Sequence, residues 1–368
     1  MQQLQAERDA LLKPLATVTG IVERRHTLPI LSNVLIRKDN DTLTFTGTDL
    51  EIQITSQQRE GFSGGDFAIT VAAKKISDIL RAIPDKTVVT LDEADGRLTV
   101  KAGKSRFQLQ TLPAADFPQL AVDTNLRATL KMPQGQLKAL LSRAQFAMAH
   151  QDIRYYLNGL LLVTEGNLLK LVATDGHRLA FASAELATSF DKNEVILPRK
   201  TILELYKALA DSDDEVAIDI ASNQVKFSFG NVVIHTKVVD GKFPDYNRVI
   251  PAGNDKLLVL DRLMLLAAMQ RAAILSNEKF RGVRLVLTQG LLKIICNNTE
   301  QEEAQEEVEV NYDNTPIDIG FNIQYLLDVL TNMPVETLHF SFGEAGSSVL
   351  VTIPDNEHFK YIVMPMRI

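Results

Sequence analysis

The sequence predicts an α+β fold made of three tandem repeats, and three observations support this class. The chain has 368 residues, more than the roughly 100–200 residues of an ordinary domain. Three stretches of similar pattern begin at Ser32, Asn158 and Arg281. Helical patterns precede and follow each stretch, and further strand patterns come after the second helix. This order is typical of antiparallel sheets that carry helices on one face.

Each of the three stretches consists of two apolar runs around a polar turn. They are SNVLIRKDNDTLTFTGTDLEIQIT, NGLLLVTEGNLLKLVATDGHRLAFAS and RGVRLVLTQGLLKIICNNTEQEEAQEEV. Tight turns are predicted at residues 39–41, 165–167 and 289–290, where polar and turn-forming residues interrupt the apolar runs. We therefore expect one β-hairpin in each repeat.

Helical periodicity marks two helices in each repeat. The second helix is predicted by AAKKISDILRAIP, PRKTILELYKALA and FNIQYLLDVLTNMP, which have apolar residues on one face. The first helix is predicted by apolar residues at i, i+3 and i+4 spacing. In the second repeat these are Leu137, Leu140, Leu141, Ala144 and Ala147. In the third repeat they are Leu263, Leu266, Ala267 and Ile274.

Segments rich in polar residues, Pro and Gly predict the boundaries between the repeats. They occur near residues 123–124 and 251–254. The expected domains are therefore 1–123, 124–251 and 252–368. The first two repeats also end alike, in ADFPQL and GKFPDY.

Composition limits the class of protein. Hydrophobic residues make up 45% and charged residues 23% of the chain, which is ordinary globular composition. The net charge of −7 argues against a protein whose whole surface binds nucleic acid. The single cysteine, Cys296, cannot form an intramolecular disulfide, and the N-terminal residues do not resemble a signal peptide. We therefore expect a cytoplasmic protein without a membrane span.

The strongest candidate for chemistry is ATDGHRLAFA, in which Asp175, His177 and Arg178 lie close together. An enzyme site here needs a third converging residue, and none is evident. Asp-Gly favours a turn, and Asp49 and Asn298 occupy the matching positions in the other repeats. A repeated turn therefore explains the aspartate without catalysis. A functional role for the histidine and arginine stays open, because the other repeats lack them.

Other catalytic and metal-binding patterns are incomplete. AGKS at residues 102–105 lacks the upstream glycine of a phosphate-binding loop and lies between two strand patterns. No two of the six histidines have the i, i+4 spacing of helical metal ligands. No metal or cofactor is therefore expected.

Charge is distributed unevenly along the chain. Basic residues outnumber acidic ones in the six predicted helices, although the whole chain is acidic. If the repeats align, these helices form a positive side, which a scaffold that binds only proteins would not need. The first repeat also contains a basic segment, RLTVKAGKSRF, and the third an acidic one, EQEEAQEE. Complementary ends predict a head-to-tail contact, which closes into a ring or continues as a filament.

Motifs along the whole chain resemble one family. They are TLPIL, TGTDLE, LPAADFP, MAHQDIRYYLNG, ATDGHRLA, PRK, DGKFPDY, RAAILSNEKFRGVRL, NNTEQEEAQEE and YIVMPMRI. The family is the bacterial DNA sliding clamp, the beta subunit of the DNA polymerase III holoenzyme. The resemblance implies a head-to-tail homodimeric ring of six similar domains, with helices lining a central hole around duplex DNA.

The resemblance further implies a non-catalytic processivity factor that tethers the replicative polymerase and other replication and repair proteins. Its expected partners are duplex DNA, the polymerase alpha subunit, the clamp loader and other proteins with a clamp-binding motif. Partner peptides would bind in a pocket between the second and third domains.

The resemblance also implies three sets of site residues. The DNA contacts are Arg25, Lys74, Gln151, Tyr155, Tyr156, Arg199 and Lys200. The peptide pocket comprises Leu157, Thr174, Gly176, His177, Arg178, Leu179, Pro244, Arg248, Val249, Tyr325, Ser348, Val363, Met364, Pro365, Met366 and Arg367. The dimer contact joins Lys75, Arg97, Lys104, Arg106 and Phe107 to Ile274, Leu275, Glu300, Glu302, Glu303 and Glu306. Gln305 lies in the acidic segment where another acid would fit the pattern.

Overall fold

The structure is a computed structural model, and it describes residues 2–23, 27–344 and 346–367. Within these residues there are six α-helices, two in each predicted repeat. They are α1 (Arg8–Val18), α2 (Ala73–Ala82), α3 (Gln134–Ala144), α4 (Arg199–Ala208), α5 (Arg262–Ala273) and α6 (Ile323–Asn332). The α+β class and the helix pairs expected from the sequence are therefore confirmed.

Each predicted repeat contributes at least six strands. The first repeat contains β1 (Gln2–Glu7), β2 (Asn33–Asp39), β3 (Thr42–Thr48), β4 (Ile52–Gln58), β5 (Phe62–Gly64), β6 (Phe67–Ala72), β7 (Val88–Ala94), β8 (Arg97–Ala102) and β9 (Ser105–Leu112). The second contains β10 (Leu126–Pro133), β11 (Gly159–Thr174), β12 (Arg178–Pro198), β13 (Glu215–Ala221), β14 (Gln224–Phe229) and β15 (Val232–Lys237). The third contains β16 (Lys256–Asp261), β17 (Gly282–Thr288), β18 (Leu291–Asn297), β19 (Glu303–Glu309), β20 (Ile317–Asn322), β21 (Thr337–Phe342), β22 (Val349–Ile353) and β23 (Asn356–Val363).

The chain folds into two compact units. The first unit comprises residues 1–137 and 203–238, and the second comprises 138–202 and 239–368. The first unit holds a 13-stranded sheet in the order β10-β13-β14-β15-β4-β3-β2-β6-β9-β8-β7-β1-β5. The second holds a six-stranded sheet, β11-β12-β23-β22-β21-β16, and a four-stranded sheet, β19-β18-β17-β20. In both units a strand of one predicted repeat pairs antiparallel with a strand of the next: β4 with β15, and β12 with β23.

The predicted hairpins are present in the first and third repeats. β2 pairs with β3 around residues 40–41, and β17 pairs with β18 around residues 289–290. In the second repeat the predicted turn at 165–167 lies inside β11. There the pairing register with β12 shifts on both sides of Gly166, whose φ is +60°. The residues of the predicted turn therefore interrupt the pairing of β11 with β12 and separate two regularly paired segments. Glycine suits this position because it adopts a positive φ without strain.

The helix predicted from the Leu263 spacing is present as α5, but the residues that indicated it do not form its buried face. Leu263 and Ile274 are 59% and 77% exposed, and the helix ends before Ile274. The buried residues are instead Leu265, Ala268, Met269 and Ala272. Apolar residues occupy most of the circumference of this helix, so periodicity alone does not identify which face packs against the sheet.

A corner in which an Asp or Asn side chain accepts two backbone hydrogen bonds follows β3, β11 and β18, one in each repeat. The Asp49 Oδ1 atom accepts hydrogen bonds from the backbone N–H groups of residues 51 and 52. The Asp175 Oδ1 atom accepts from residues 177 and 178, and Asn298 Oδ1 from residues 300 and 302. Aspartate and asparagine favour such turns because their short side chains satisfy nearby backbone donors. The interpretation of Asp175 as a repeated turn residue is confirmed.

A buried apolar cluster lies next to the Asp175 corner in the second unit. It includes Leu157, Leu179, Phe181, Phe243 and Ile362, and partly buried Tyr156, Val249 and Leu350 pack against it. The segment GKFPDY contributes Phe243 and Tyr246 to this cluster. Burial of these side chains fixes the corner and the C-terminal strand β23 against the same core.

Candidate functional site

A small open cavity lies above this cluster, at the corner formed by residues 174–178. Its volume is about 110 Å³. Its walls are mainly apolar, with a few polar groups at the rim, which is typical of a ligand site. The lining residues are Arg154, Tyr156, Leu157, Thr174, Gly176, Arg178, Leu179, Pro244, Val249, Ile362 and Met364.

Arg178 is buried beside the cavity, and its guanidinium group is fully engaged by protein atoms. The Nε atom donates to Asp175 Oδ2 at 3.1 Å, and Nη1 donates to Asp328 Oδ2 at 2.5 Å. Nη2 donates to the backbone carbonyl of Phe146 at 2.7 Å, and Nη1 also lies 3.4 Å from the Tyr361 hydroxyl. One side chain therefore connects the corner, α6, β23 and the segment after α3.

The electrostatics of this cluster keep Arg178 charged. Burial disfavours the cation, but Tyr361 and the hydrogen bond to Asp328 outweigh burial and raise the pKa of Arg178. Burial also raises the pKa of Tyr361 above its ordinary value. A guanidinium that is permanently charged and bonded to a carboxylate cannot act as a general base. Its role here is to hold the corner in place.

His177 belongs to the rim of the same corner. Its ring stacks on the ring of Tyr325, with 6.5 Å between centroids and 17° between planes. The same Tyr325 ring lies 4.6 Å from the guanidinium carbon of Arg178. The backbone carbonyl of His177 accepts a hydrogen bond from the Met364 N–H at 2.9 Å. The C-terminal segment is therefore fastened directly to the corner.

Gly176 has a backbone conformation that favours glycine, and its lack of a side chain leaves room for Arg154. Its φ is +91°, and a Cβ atom built there would lie 2.8 Å from Nη1 of Arg154. Arg154 also donates from Nη2 to the Asp175 carbonyl at 3.0 Å and from Nε to Asp152 at 3.0 Å. The hydrogen bonds from Arg154 lower the pKa of Asp152 to about 2. Arg154 therefore forms a fixed wall of the cavity.

Half of the predicted pocket residues line this cavity and half do not. The residues that line it are Leu157, Thr174, Gly176, Arg178, Leu179, Pro244, Val249 and Met364. Those outside the lining are His177, Arg248, Tyr325, Ser348, Val363, Pro365, Met366 and Arg367. Met366 and Arg367 instead line a second cavity of about 630 Å³ together with Phe280.

Three lining residues were absent from the predicted pocket: Arg154, Tyr156 and Ile362. Ile362 lines the cavity where Val363 was expected, because alternate residues of β23 point to opposite faces of the sheet. Val363 is fully buried on the other face. In the sequence, the alternation of side chains along the strand YIVMPM is the signal that could distinguish Ile362 from Val363 as the residue facing the cavity.

The predicted DNA contacts are distributed over both units. Lys74 is exposed on α2 and forms an ion pair with Asp78. Tyr155 is 56% exposed on a short 3-10 turn, whereas Tyr156 lines the cavity. Arg199 donates to the Met148 carbonyl at 3.2 Å. Gln151 is exposed, Lys200 lies in the first turn of α4, and Arg25 lies outside the described residues.

Some of the predicted dimer residues lie on or beside two strand edges, those of β9 and β19. Residues 105–110 of β9 pair with β8 on one side, and no pairing is present on the other side among the described residues. This segment carries exposed Arg106, with Lys104 in the adjoining turn. β19 is an edge strand of its sheet and carries Glu303 and Glu306. Arg97, Lys75, Glu300 and Glu302 are also exposed, and Phe107 and Leu275 are half-buried.

Within its own chain the acidic edge is partly neutralised. Arg271 donates two hydrogen bonds to Glu306, at 2.9 and 2.5 Å, which lower the pKa of Glu306. Gln305 donates to Glu307 at 3.1 Å, so this amide stabilises a neighbouring carboxylate. Ile274, 77% exposed, adjoins the same helix end.

Within residues 2–23, 27–344 and 346–367 there is no group of three or more His, Cys, Asp or Glu side chains placed to hold a metal. No helix in this described part is long and apolar enough to cross a membrane. The fold defines a class: a protein of three tandem α+β repeats whose second unit carries an open, mainly apolar cavity.

The comparisons with known proteins identify the family. Three family profiles match: DNA polymerase III beta subunit, N-terminal domain at residues 2–121, central domain at 131–245, and C-terminal domain at 247–367. The beta sliding clamp of Pseudomonas aeruginosa is 48% identical over 363 residues, covering 98% of this chain and 99% of that protein. The Escherichia coli K12 beta sliding clamp is 44% identical over 362 residues, with the same coverage.

Solved structures agree. A crystal structure of the Pseudomonas aeruginosa DNA polymerase sliding clamp with ligand has a TM-score of 0.95 and 47% identity, covering 100% of both chains. A second structure of that clamp, bound to griselimycin, has the same TM-score, identity and coverage.

The chain therefore belongs to the DNA polymerase III beta subunit family, the bacterial sliding clamps. It is a non-catalytic processivity factor of three tandem clamp domains, which binds DNA, forms dimers and binds the polymerase and other partners. A ring of two chains is the assembly known for this fold family. The alternatives of an enzyme built on Asp175 and His177 and of a scaffold that binds only proteins are thereby excluded.

Proposed function

We propose that the cavity at the Asp175 corner is the site at which this clamp binds linear peptides of its partners. The observation that supports the proposal is that three separate segments line one apolar cavity: the Asp175 corner, the GKFPDY segment and the C-terminal segment. The griselimycin complex of the Pseudomonas aeruginosa clamp supports a ligand site in a protein of the same fold.

The cavity suits apolar side chains on an extended peptide. Leu157, Leu179, Pro244, Val249 and Met364 provide the apolar walls. By resemblance to the family, the peptide would carry Gln near its start and Leu or Phe near its end. Burial of each apolar side chain contributes roughly 1.5–3 kcal/mol, less the entropic cost of ordering the peptide. Micromolar binding is therefore expected, which suits partners that exchange.

Two variants separate peptide binding from dimerisation. Deletion of residues 364–368 removes the Met364 wall and its hydrogen bond to His177, and should abolish binding of a fluorescent peptide while the protein remains dimeric. Ile274→Ala with Leu275→Ala should weaken the dimer and leave peptide binding unchanged. Fluorescence anisotropy and sedimentation measure the two properties. If the truncated protein binds the peptide as tightly as the intact chain, the proposed site is wrong.

We propose that the dimer forms by pairing the free edge of β9 with the free edge of β19. The basic and acidic side chains on these edges are complementary, and the exposed Ile274 supplies apolar area. Each exposed ion pair contributes only about 0–1 kcal/mol, so apolar contact should contribute more. Reversal of Lys104 and Arg106 to Glu should shift sedimentation toward monomer, and an unchanged dimer would contradict the pairing.

We propose that Arg25, Lys74, Arg199 and Lys200, with Gln151, Tyr155 and Tyr156, contact duplex DNA without reading its sequence. Weak contacts suit a ring that holds DNA topologically, because a tight grip on phosphates would hinder sliding. Replacement of Arg25, Arg199 and Lys200 by Ala should weaken binding alike on all sequences and flatten its salt dependence. A loss confined to one sequence would contradict this proposal.

We also propose domain boundaries at 1–123, 124–251 and 252–368 and a cytoplasmic location. The family profiles end and begin close to these boundaries. A location in the cytoplasm is supported by the role of the family in DNA replication.

A further inference from the structure

A row of side chains crosses the six-stranded sheet from the cavity to its outer strand. Leu179 on β12 lies opposite Ile362 on β23, which lies opposite Leu350 on β22. Leu350 lies opposite Ser341 on β21, and Ser341 lies opposite Leu257 on β16. Directly opposed residues share one face of a sheet. We name these five residues the Leu350 row; it begins in the cavity, whose lining includes Leu179 and Ile362.

The far end of the row is apolar and exposed. Leu257 is 43% exposed, and so is Val259, two residues further along β16 and therefore on the same face. Leu350 is partly buried and packs against the cluster beneath the cavity. Single exposed apolar residues are common on protein surfaces, but these side chains lie in line with an apolar cavity, separated from Leu350 only by the small side chain of Ser341.

The fold does not require this apolar surface. The corresponding row of the first unit has the same register on β4, β15, β14, β13 and β10, and it is polar: Gln53, His235, Lys226, Asp219 and Thr129. At the positions of Leu257 and Val259, counted back from the helix that follows, the first repeat has Gln3 and Gln5 and the second has Thr129 and Lys131. Only the third repeat is apolar there.

We propose that the Leu350 row binds the segment of a partner that flanks its cavity-bound motif. This inference rests on the proposed peptide site and extends it. From Ile362 to Leu257 the row spans three strand spacings of about 4.8 Å each, a distance that four or five extended residues cover at about 3.3 Å per residue. The occupant is therefore an extended flanking segment of this length, with one or two aliphatic side chains that lie over Leu350 and Leu257.

The test compares peptides that differ only in the flank. A fluorescein-labelled motif peptide, with Gln at its start and Leu-Phe at its end, is extended by four residues at either terminus, with two leucines or with serines only. At one terminus the leucine extension should bind about three- to tenfold tighter than the serine extension. Leu257→Gln with Val259→Gln, the residues of the first repeat, should remove this difference and leave the affinity of the short peptide unchanged. Leu263→Gln, which removes another exposed leucine of the same unit, 59% against 43% for Leu257, should leave all affinities unchanged.

The other outcomes decide against the inference in distinguishable ways. If the short peptide binds and neither leucine extension improves binding, the row is not a flank site, although the proposed cavity stands. If no peptide binds the intact protein, the proposed cavity fails and this inference fails with it. If the double variant changes the sedimenting mass while peptide affinities stay the same, the row is a contact between copies of the chain and the inference is overturned.

Discussion

The corners at Asp49 and Asp175 share a backbone but carry different side chains. In both, the threonine before the aspartate donates from Oγ1 to the carbonyl at the end of the corner, at 2.9 Å for Thr48 and 2.6 Å for Thr174. In both, the next residue has positive φ, +76° for Leu50 and +91° for Gly176. The corner is therefore a property of the repeat, and function depends on what each repeat places on it.

The difference lies in the residue that ends the corner and in the surface beside it. The first corner ends in Ile52, which is 2% exposed and whose side chain can make only apolar contacts. The second corner ends in Arg178, which is buried and forms ion pairs with Asp175 and Asp328. Beside the first corner, Gln53 Oε1 accepts from the Leu120 N–H, so the chain covers its own surface. Beside the second corner the cavity stays open. The two corners therefore differ in whether the surface beside them is covered or left open.

The largest effect should follow from making the second corner like the first. Arg178→Ile removes the cation from Asp328, which retains the hydrogen bond from Gln324, and removes the donor from the Phe146 carbonyl. Loss of one partner of a buried ion pair is strongly destabilising. Because Asp328 is partly exposed, we expect a loss of about 2–4 kcal/mol in the free energy of unfolding, measured by urea denaturation. The double variant Arg178→Ile with Asp328→Leu should recover part of the lost free energy of unfolding, because it removes both partners of the ion pair. A single variant as stable as the parent would show that the cluster does not fix the corner.

A smaller effect should follow from removing the acceptor of the corner. Asp175→Ala removes the acceptor of two backbone N–H groups, which costs about 1–2 kcal/mol, and it also removes the oxygen that accepts from Arg178 Nε. Asp175→Asn retains Oδ1 and should therefore cost less. Urea midpoints of the two variants measure the difference, and equal losses would show that the Oδ1 hydrogen bonds do not stabilise the corner.

The smallest effect concerns the polar row of the first unit. Burial, and then the charge of Lys226, lower the pKa of His235 below its ordinary value of 6.5. The unfolded chain therefore binds this proton more readily than the folded chain, and stability should fall as pH drops through 6.5 and below. His235→Gln should remove this component of the pH dependence, measured from urea midpoints between pH 7.5 and 5.5. An unaltered pH dependence would show that His235 does not contribute.

Local sequence patterns are sufficient to predict the helices and the corner, because within each repeat the local signals agree with the fold. The helix pairs follow from apolar periodicity, and the corner follows from Asp or Asn at matching positions. The buried face of α5 did not follow, because Leu263 and Leu265 are equally apolar and only packing against the sheet selects one of them.

The site was partly accessible from sequence. The motifs brought Leu157, Leu179 and Met364 together by resemblance, and the structure places them around one cavity. Arg154 was missed because its role depends on Gly176 leaving room for a guanidinium from a different segment, a contact that no local pattern encodes. Leu257 was missed because its neighbours across the sheet are Ser341 and Leu350, which lie far along the chain.

The acidic side chains of β19 also affect the chain while it is still a monomer. An unpaired strand edge is a template for indiscriminate pairing with other chains, and β19 is such an edge. Its carboxylates, at Glu303, Glu307 and Glu309 among others, would oppose one another if two copies of β19 came together. A newly synthesised chain is thereby protected from aggregating through this strand, and the edge remains available for a basic partner.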